Sequence, residues 1–147
     1  MPYRFSLEAV LHFRKSVEHQ QELRLRAANQ QVARVRRWIE QVDEKIQQAQ
    51  AASARELAAG TTFAEVRFAL AAEASLVTQR QTLEREWLKL ETLRSQQQRI
   101  FQQARRERET FESLRNRQQR EYERDQARRE QRALDDLFLL RRYAERS

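Results

Sequence analysis

A single glycine, Gly60, is the strongest constraint on how this chain can fold. The one proline is Pro2, at the N-terminus, so the rest of the 147 residues contains no other strong helix breaker. Apolar residues make up 39% of the chain and charged residues 35%, in a mixture rich in Ala, Glu, Gln, Arg and Leu. That composition is typical of long helices and coiled coils. The sequence therefore predicts an all-α protein made of very few, very long helices.

The segment around Gly60 contains a helix stop followed closely by a helix start. Glycine tolerates the left-handed conformation that closes a helix, which assigns Gly60 to the position just after a helix end. Thr62, with Glu65 three residues later, forms a capping box, the pattern of a helix N-terminus. We therefore predict an antiparallel two-helix coiled-coil hairpin that spans 1–147 as one elongated domain. Its helices cover 6–59 and 63–145, and its turn covers 60–62.

The first predicted helix carries a heptad seam. Ser6 is its expected N-cap, and Phe5 is expected to pack against Val10 as a hydrophobic staple. Apolar residues then recur at alternating spacings of four and three, as expected for a coiled-coil interface. The clearest stretch of this seam is Ala28, Val32, Val35, Ile39, Val42, Ile46 and Ala49.

The second predicted helix keeps an apolar seam only as far as Leu114. Residues 115–132 contain one aromatic residue and no aliphatic residue larger than alanine. If the turn is at Gly60, the numbers of facing residues add to about 121, because antiparallel helices rise equally per residue. Leu7 then faces Leu114. The seam therefore ends where its partner ends, and about 30 residues of the second helix overhang at the open end.

The overhang ends in an apolar segment, 134–140, that has no partner in the hairpin register. Unpaired apolar clusters commonly mark interfaces, so we expect a docking end for another protein. A fold-back onto Phe5 or Phe13, or a contact between copies of the chain, remains the alternative.

The chain lacks the residues that several classes of function require. There is no cysteine, and one glycine cannot build a phosphate-binding loop. His12 and His19 lie seven residues apart, which does not match a metal-ligand spacing. We therefore expect a protein that is not an enzyme, with no cofactor, no metal and no small-molecule substrate. No apolar run is long enough to span a membrane, so a cytoplasmic protein is expected.

The net charge of +7 raises the alternative of nucleic-acid binding. Arginine is, however, mixed with glutamate throughout, as in 105–109. Such mixing is typical of solvated helices with surface ion pairs, which makes nucleic acid the less favoured partner.

Both ends of the chain resemble those of a known family. Residues 4–14, RFSLEAVLHFR, are similar to the F-x-L-x-x-V-L-x-x-R opening of the flagellar export protein FliJ family. Residues 128–137, RREQRALDDL, resemble that family's R-x-E-Q-x-x-L-D-E closing segment. The resemblance covers the whole chain, and injectisome stalk proteins of the YscO type share the same architecture.

The resemblance implies a component of the flagellar type III export apparatus, in the cytoplasm and peripheral to the inner membrane. Its expected partners are the hexameric export ATPase FliI, the export-gate protein FlhA and export chaperones. Its expected roles are the central stalk of the ATPase ring and a general chaperone or chaperone escort. A structural coiled coil that associates through its overhang is the alternative function.

The same resemblance assigns expected contacts to particular residues. An apolar sleeve inside the ATPase ring would hold four apolar residues, Leu7, Leu134, Leu137 and Phe138. Acidic loops of the ring would contact three arginines, Arg128, Arg129 and Arg132. The gate protein would meet Phe63, Phe68 and Leu70. The alternative for these three residues is that they cap the turn by packing against Leu57 and Val66.

Overall fold

The computed structural model describes residues 6–146, which form two α-helices in an antiparallel hairpin. Helix α1 covers Glu8–Ala59 and helix α2 covers Phe63–Arg146, so the second helix is the longer. The all-α hairpin predicted from the sequence is thereby confirmed. The staple between Phe5 and Val10 involves a residue outside the described range.

The turn has the chemistry predicted for it. Gly60 has a φ of +87°, in the left-handed region that glycine tolerates, and its N–H donates to the Leu57 carbonyl at 3.4 Å. Thr62 Oγ1 accepts a hydrogen bond from the Glu65 N–H at 3.3 Å, and Glu65 Oε2 accepts one from the Thr62 N–H at 3.4 Å. These reciprocal bonds satisfy donors at the helix start, and they confirm the capping box.

Helix α1 begins slightly later than the expected Ser6 cap. Ser6 and Leu7 lie in a turn, and the Leu7 carbonyl accepts the hydrogen bond of the Leu11 N–H at 2.9 Å. Glu8 is the first helical residue, and the positive end of the helix dipole stabilises its carboxylate.

Residues 20–101 form one compact unit, which contains the turn. All seven predicted seam residues are at least partly shielded from solvent: Val35 and Val42 are buried, and the other five are half-buried. Polar pairs across the helices fix the register: Gln50 with Glu73, Asp43 with Arg80, and Gln21 with Gln97. The numbers of these partners add to 123, 123 and 118, close to the predicted 121.

The described parts of the other unit are residues 6–19 and 102–146. Leu11 on α1 is its most buried side chain, at 1% exposure, and Ala104 on α2 is also buried. Ion pairs across the helices are Arg14 with Glu107, Glu18 with Arg108, and Glu8 with Arg115. The numbers of these partners add to 121, 126 and 123, which is again the predicted register.

Candidate partner-binding surfaces

Six exposed large apolar side chains lie within ten residues near the end of α2. We call this cluster the C-terminal band. Its residues are between 57% and 78% exposed, and they are Leu134, Leu137, Phe138, Leu139, Leu140 and Tyr143. Every described residue from 127 to 146 is exposed. The described part of the chain therefore shows no fold-back of the band onto Phe13, which is itself 59% exposed.

One turn of the C-terminal band, residues 137–140, is apolar on all sides of the helix, and the charged pairs Asp135–Asp136 and Arg141–Arg142 flank it. Successive residues of an α-helix are rotated by about 100°, so the four consecutive residues 137–140 together encircle the helix. A helix that is apolar all round is normally buried all round, whereas a helix that docks on one face keeps a polar side. The band is thus suited to an apolar environment that encloses it. Leu139 and Leu140 complete this circumference, and Tyr143 adds an exposed ring one turn later. The sequence interpretation placed Leu139 and Leu140 in the apolar segment 134–140 but named none of these three residues as a ring contact.

Arginines lie immediately before the band. Arg129 and Arg132 are exposed and have no ion-pair partner among residues 6–146, and Arg128 approaches Asp125 only at 3.9 Å. Their charge is therefore available to a partner, because solvent-exposed pairs of this length neutralise little.

Leu7 is separate from the band, although both lie in the same unit. The adjacent Glu8 is 3.7 Å from Arg115, which places the start of α1 beside residue 115 of α2. The band begins 19 residues further along α2, about 28 Å at 1.5 Å per residue. The structure therefore brings the other six predicted ATPase-ring residues together on one helix segment and leaves Leu7, which is half-buried, apart from them.

The residues predicted for the gate contact are exposed near the turn. Phe63 is 81% exposed, Phe68 is 77% and Leu70 is 61%. The two phenylalanines therefore do not cap the turn by burial against Leu57 and Val66. Leu70 lines a small cleft of about 50 Å³ together with those two residues, yet most of its side chain remains accessible.

A larger groove runs between the two helices near the turn; we call it the tip groove. It has a volume of about 670 Å³, and Phe68 is one of the residues that line it. Five of its nine lining residues are alanines, namely Ala49, Ala52, Ala64, Ala69 and Ala72. Sequence reasoning missed this groove, although the alanine-rich composition of 49–72 is a signal that could have indicated a thinly packed pair of helices.

A cluster of charged side chains joins the helices near Leu11. Arg108 Nε donates to Glu18 Oε2 at 2.6 Å, and the same guanidinium also binds Glu112. These hydrogen bonds raise the pKa of Arg108, and the Arg108 guanidinium lowers the pKa of the Glu112 carboxyl. The cluster stabilises the pairing of α1 with α2. It offers no reactive group.

The described residues also bear on metal and membrane functions. His12 and His19 are both exposed, and residues 6–146 contain no group of three side chains placed to hold a metal ion. In the same range, neither helix has a segment long and apolar enough to cross a membrane.

These features define a class of protein: a two-helix coiled-coil hairpin with clusters of exposed large apolar side chains in the band and around the turn. The model of the flagellar FliJ protein family matches residues 3–147, nearly the whole chain. The chain therefore belongs to the flagellar FliJ family, and as a member it is a component of the flagellar export apparatus. Comparison with curated proteins and with solved structures gives no match.

Proposed function

We propose that this protein is the non-enzymatic central stalk of the flagellar export ATPase, with its C-terminal band held inside the ring of the FliI hexamer. The observation that carries the proposal is that one exposed turn of the band, residues 137–140, is apolar around the whole helix. A ring of subunits surrounds an axial helix with equivalent surfaces, so every side of that helix loses water on binding. Burial of each large apolar side chain then contributes about 1.5–3 kcal/mol before the cost of association.

The arginines before the band support an entry mechanism. Arg129 and Arg132 lack intramolecular ion-pair partners within 6–146, and their charge would attract acidic loops at the mouth of a ring. Complementary charge of this kind mainly increases the rate of encounter and fixes orientation. Apolar burial of the band would then supply most of the binding free energy.

The exposed side chains near the turn support a second contact, with the export-gate protein FlhA. Phe63, Phe68 and Leu70 present large apolar groups to solvent without burial in the hairpin. Through this contact the protein would work at the cytoplasmic face of the inner membrane without entering it. We include delivery of export chaperones in the proposed role because the family resemblance implies it.

A binding experiment with the FliI hexamer tests the stalk assignment. The double variant Leu137→Asp with Phe138→Asp places two charges on different sides of the band, and we expect it to weaken binding at least about tenfold. The matched control, Leu88→Asp with Leu93→Asp, alters two side chains that are 58% and 57% exposed elsewhere on α2, and it should bind normally. Normal binding by the band variant would refute the assignment.

Light scattering on the isolated protein separates the stalk from the alternative of self-association. A stalk should be monomeric until the ATPase is added. A wild-type dimer that becomes monomeric in the band variant would instead make the band a contact between copies of the chain.

A further inference from the structure

We propose that the tip groove is a docking site for an amphipathic helix of another protein, whose apolar side contacts the alanines and whose flanks carry lysine or arginine. The inference extends the proposed partner contact near the turn, because Phe68 belongs to both. It differs from that contact by specifying the fold and the charge of the occupant.

The dimensions of the tip groove suit a short helix. The lining residues run from Ala49 to Glu56 on α1 and from Ala64 to Ala72 on α2. At 1.5 Å per residue these stretches extend about 10–12 Å, or two helical turns. The small alanine side chains of the lining let a third helix approach the two backbones closely. A helix that presents apolar residues at i, i+3, i+4 and i+7 would fill the groove and cover Phe68.

The charge of the tip groove is opposite to that of the chain as a whole. Glu56 and Glu65 are its only charged lining residues, whereas Arg55 and Arg67 from the same segment do not line it. Hydrogen bonds from the Thr61 hydroxyl and the Thr62 N–H lower the pKa of Glu65, so this carboxylate stays ionised at neutral pH. One carboxylate comes from each helix, and basic residues on the two flanks of an inserted helix would pair with them.

Other occupants fit the tip groove less well. A small molecule would meet a single aromatic side chain and mostly alanines, three of which (Ala52, Ala64 and Ala72) are themselves exposed, so little of its surface would be buried. A second copy docked by the same surface would bring glutamates against glutamates, because a two-fold interface pairs a patch with itself. The arginine-flanked band of a second copy is the remaining occupant, and the experiment below distinguishes it.

The test uses the full-length protein and synthetic peptides. The probe is a helical peptide of about 14 residues with leucines at i, i+3, i+4 and i+7 and lysines on both flanks. Its matched control has glutamates in place of the lysines. We expect the lysine peptide to bind at least about tenfold more tightly, and the difference to shrink as salt is raised.

Paired variants locate the binding site. Ala52→Trp fills the groove and should weaken binding of the lysine peptide at least about tenfold, whereas Ala51→Trp, outside the groove lining, should not. Glu56→Lys should weaken binding by several-fold through like charge, with Glu44→Lys as its control. Circular dichroism checks that each variant keeps its helices.

Three outcomes would overturn the inference. The first is equal binding of the lysine and glutamate peptides. The second is that Ala52→Trp and Ala51→Trp have equal effects on binding of the lysine peptide. The third is that a peptide covering 128–146 of this chain binds more tightly than the lysine peptide and that Ala52→Trp abolishes its binding. The last outcome would make a second copy the occupant. The variant Leu137→Asp with Phe138→Asp should bind the lysine peptide normally, so failure of the stalk assignment and failure of this inference give different results.

Discussion

Arg108 shows how much one side chain contributes to holding the two helices together. Its guanidinium binds Glu18 on α1 and Glu112 one turn later on α2, and about four fifths of both the Arg108 and the Glu18 side chain is shielded from solvent. Such shielding makes the interaction stronger than that of an exposed pair such as Arg105 with Glu109. A partly shielded charge left without its partner is also costly, so the cluster favours this register over alternatives.

The Arg108 cluster predicts how stability depends on pH. Because Arg108 lowers the pKa of Glu112 below its ordinary value of 4.5, the resulting stability is present above pH 4.5. It is lost as the pH falls through the lowered pKa of the folded state. Thermal unfolding measured from pH 7 to pH 2.5 should therefore show a decline below about pH 4.5 that is smaller in Arg108→Gln.

The control for this pH series is Arg99→Gln, which changes an exposed arginine on the same helix. The pH profile of Arg99→Gln should match that of the wild type, because this substitution leaves the Arg108–Glu112 pair in place. Glu65 and Glu91, whose pKa values are also lowered, keep their partners in Arg99→Gln and in Arg108→Gln alike. Identical profiles for Arg108→Gln and the wild type would contradict the role assigned to Arg108.

Between residues 28 and 49 of helix α1, the two buried apolar residues are seven positions apart, the spacing of a heptad repeat. Val35 and Val42 are 3% and 5% exposed, and both are β-branched, as is common at one of the two core positions of a heptad. A two-helix interface has only one such seam, so each position carries a large share of the stability. Exposed valines outside the seam should contribute little to the stability.

A pair of valine substitutions tests this division. Val42→Ala should lower the free energy of unfolding by about 1–2 kcal/mol, since it removes buried methyl groups while the better helix propensity of alanine offsets part of the loss. Val77→Ala, at a position 39% exposed, should change it by less than about 0.5 kcal/mol. Chemical denaturation measures both, and equal losses would mean that the seam is not the principal source of stability.

Helix α2 changes character along its length. Tyr122 and Gln126 are half-buried and joined by a 3.0 Å hydrogen bond, whereas every described residue after Gln126 is exposed. A helix segment without a packed face is marginal in water, so 127–146 depends on its own propensity and on side-chain pairs such as Gln131 with Asp135. A partner that encloses the band would stabilise this segment further.

For the protein as a whole, folding and the proposed partner binding should be separable. A chain ended after residue 126 loses no buried described side chain, so its thermal midpoint should stay within a few degrees of the full-length value. The same truncation should abolish binding to the FliI hexamer, because it removes the band and the three arginines before it. A large loss of stability would show that 127–146 contributes to folding, and retained binding would refute the stalk assignment.

Much of the fold could be predicted because it depends on short-range rules. Gly60, Thr62 and Glu65 specify the turn through backbone conformation and capping, which act within a few residues. The heptad spacing of Val35 and Val42 specifies the buried face, since helix periodicity is a property of the sequence itself. The register then follows from the position of the turn and the equal rise of the two helices.

The candidate surfaces were predicted less completely, for a physical reason. The apolar segment 134–140 is visible in the sequence, but only the structure shows that Leu139, Leu140 and Tyr143 stay exposed instead of packing against α1. Similarly, the sequence was compatible with Phe63 and Phe68 packing over the turn and with both side chains being exposed. Their exposure depends on side-chain packing around the turn, which the spacing of residues along the chain does not encode.

The amino-acid sequence alone thus determined two helices, their turn, their register and the family, because each depends on local chemistry or on linear spacing. Only the tertiary structure decided which side chains the pairing leaves accessible. The tip groove is the clearest case: its alanines, Glu56 and Glu65 come from both helices, and they form one surface only when the helices pack against each other. The cluster of Arg108 with Glu18 arises in the same way, since its partners are 90 positions apart in the chain.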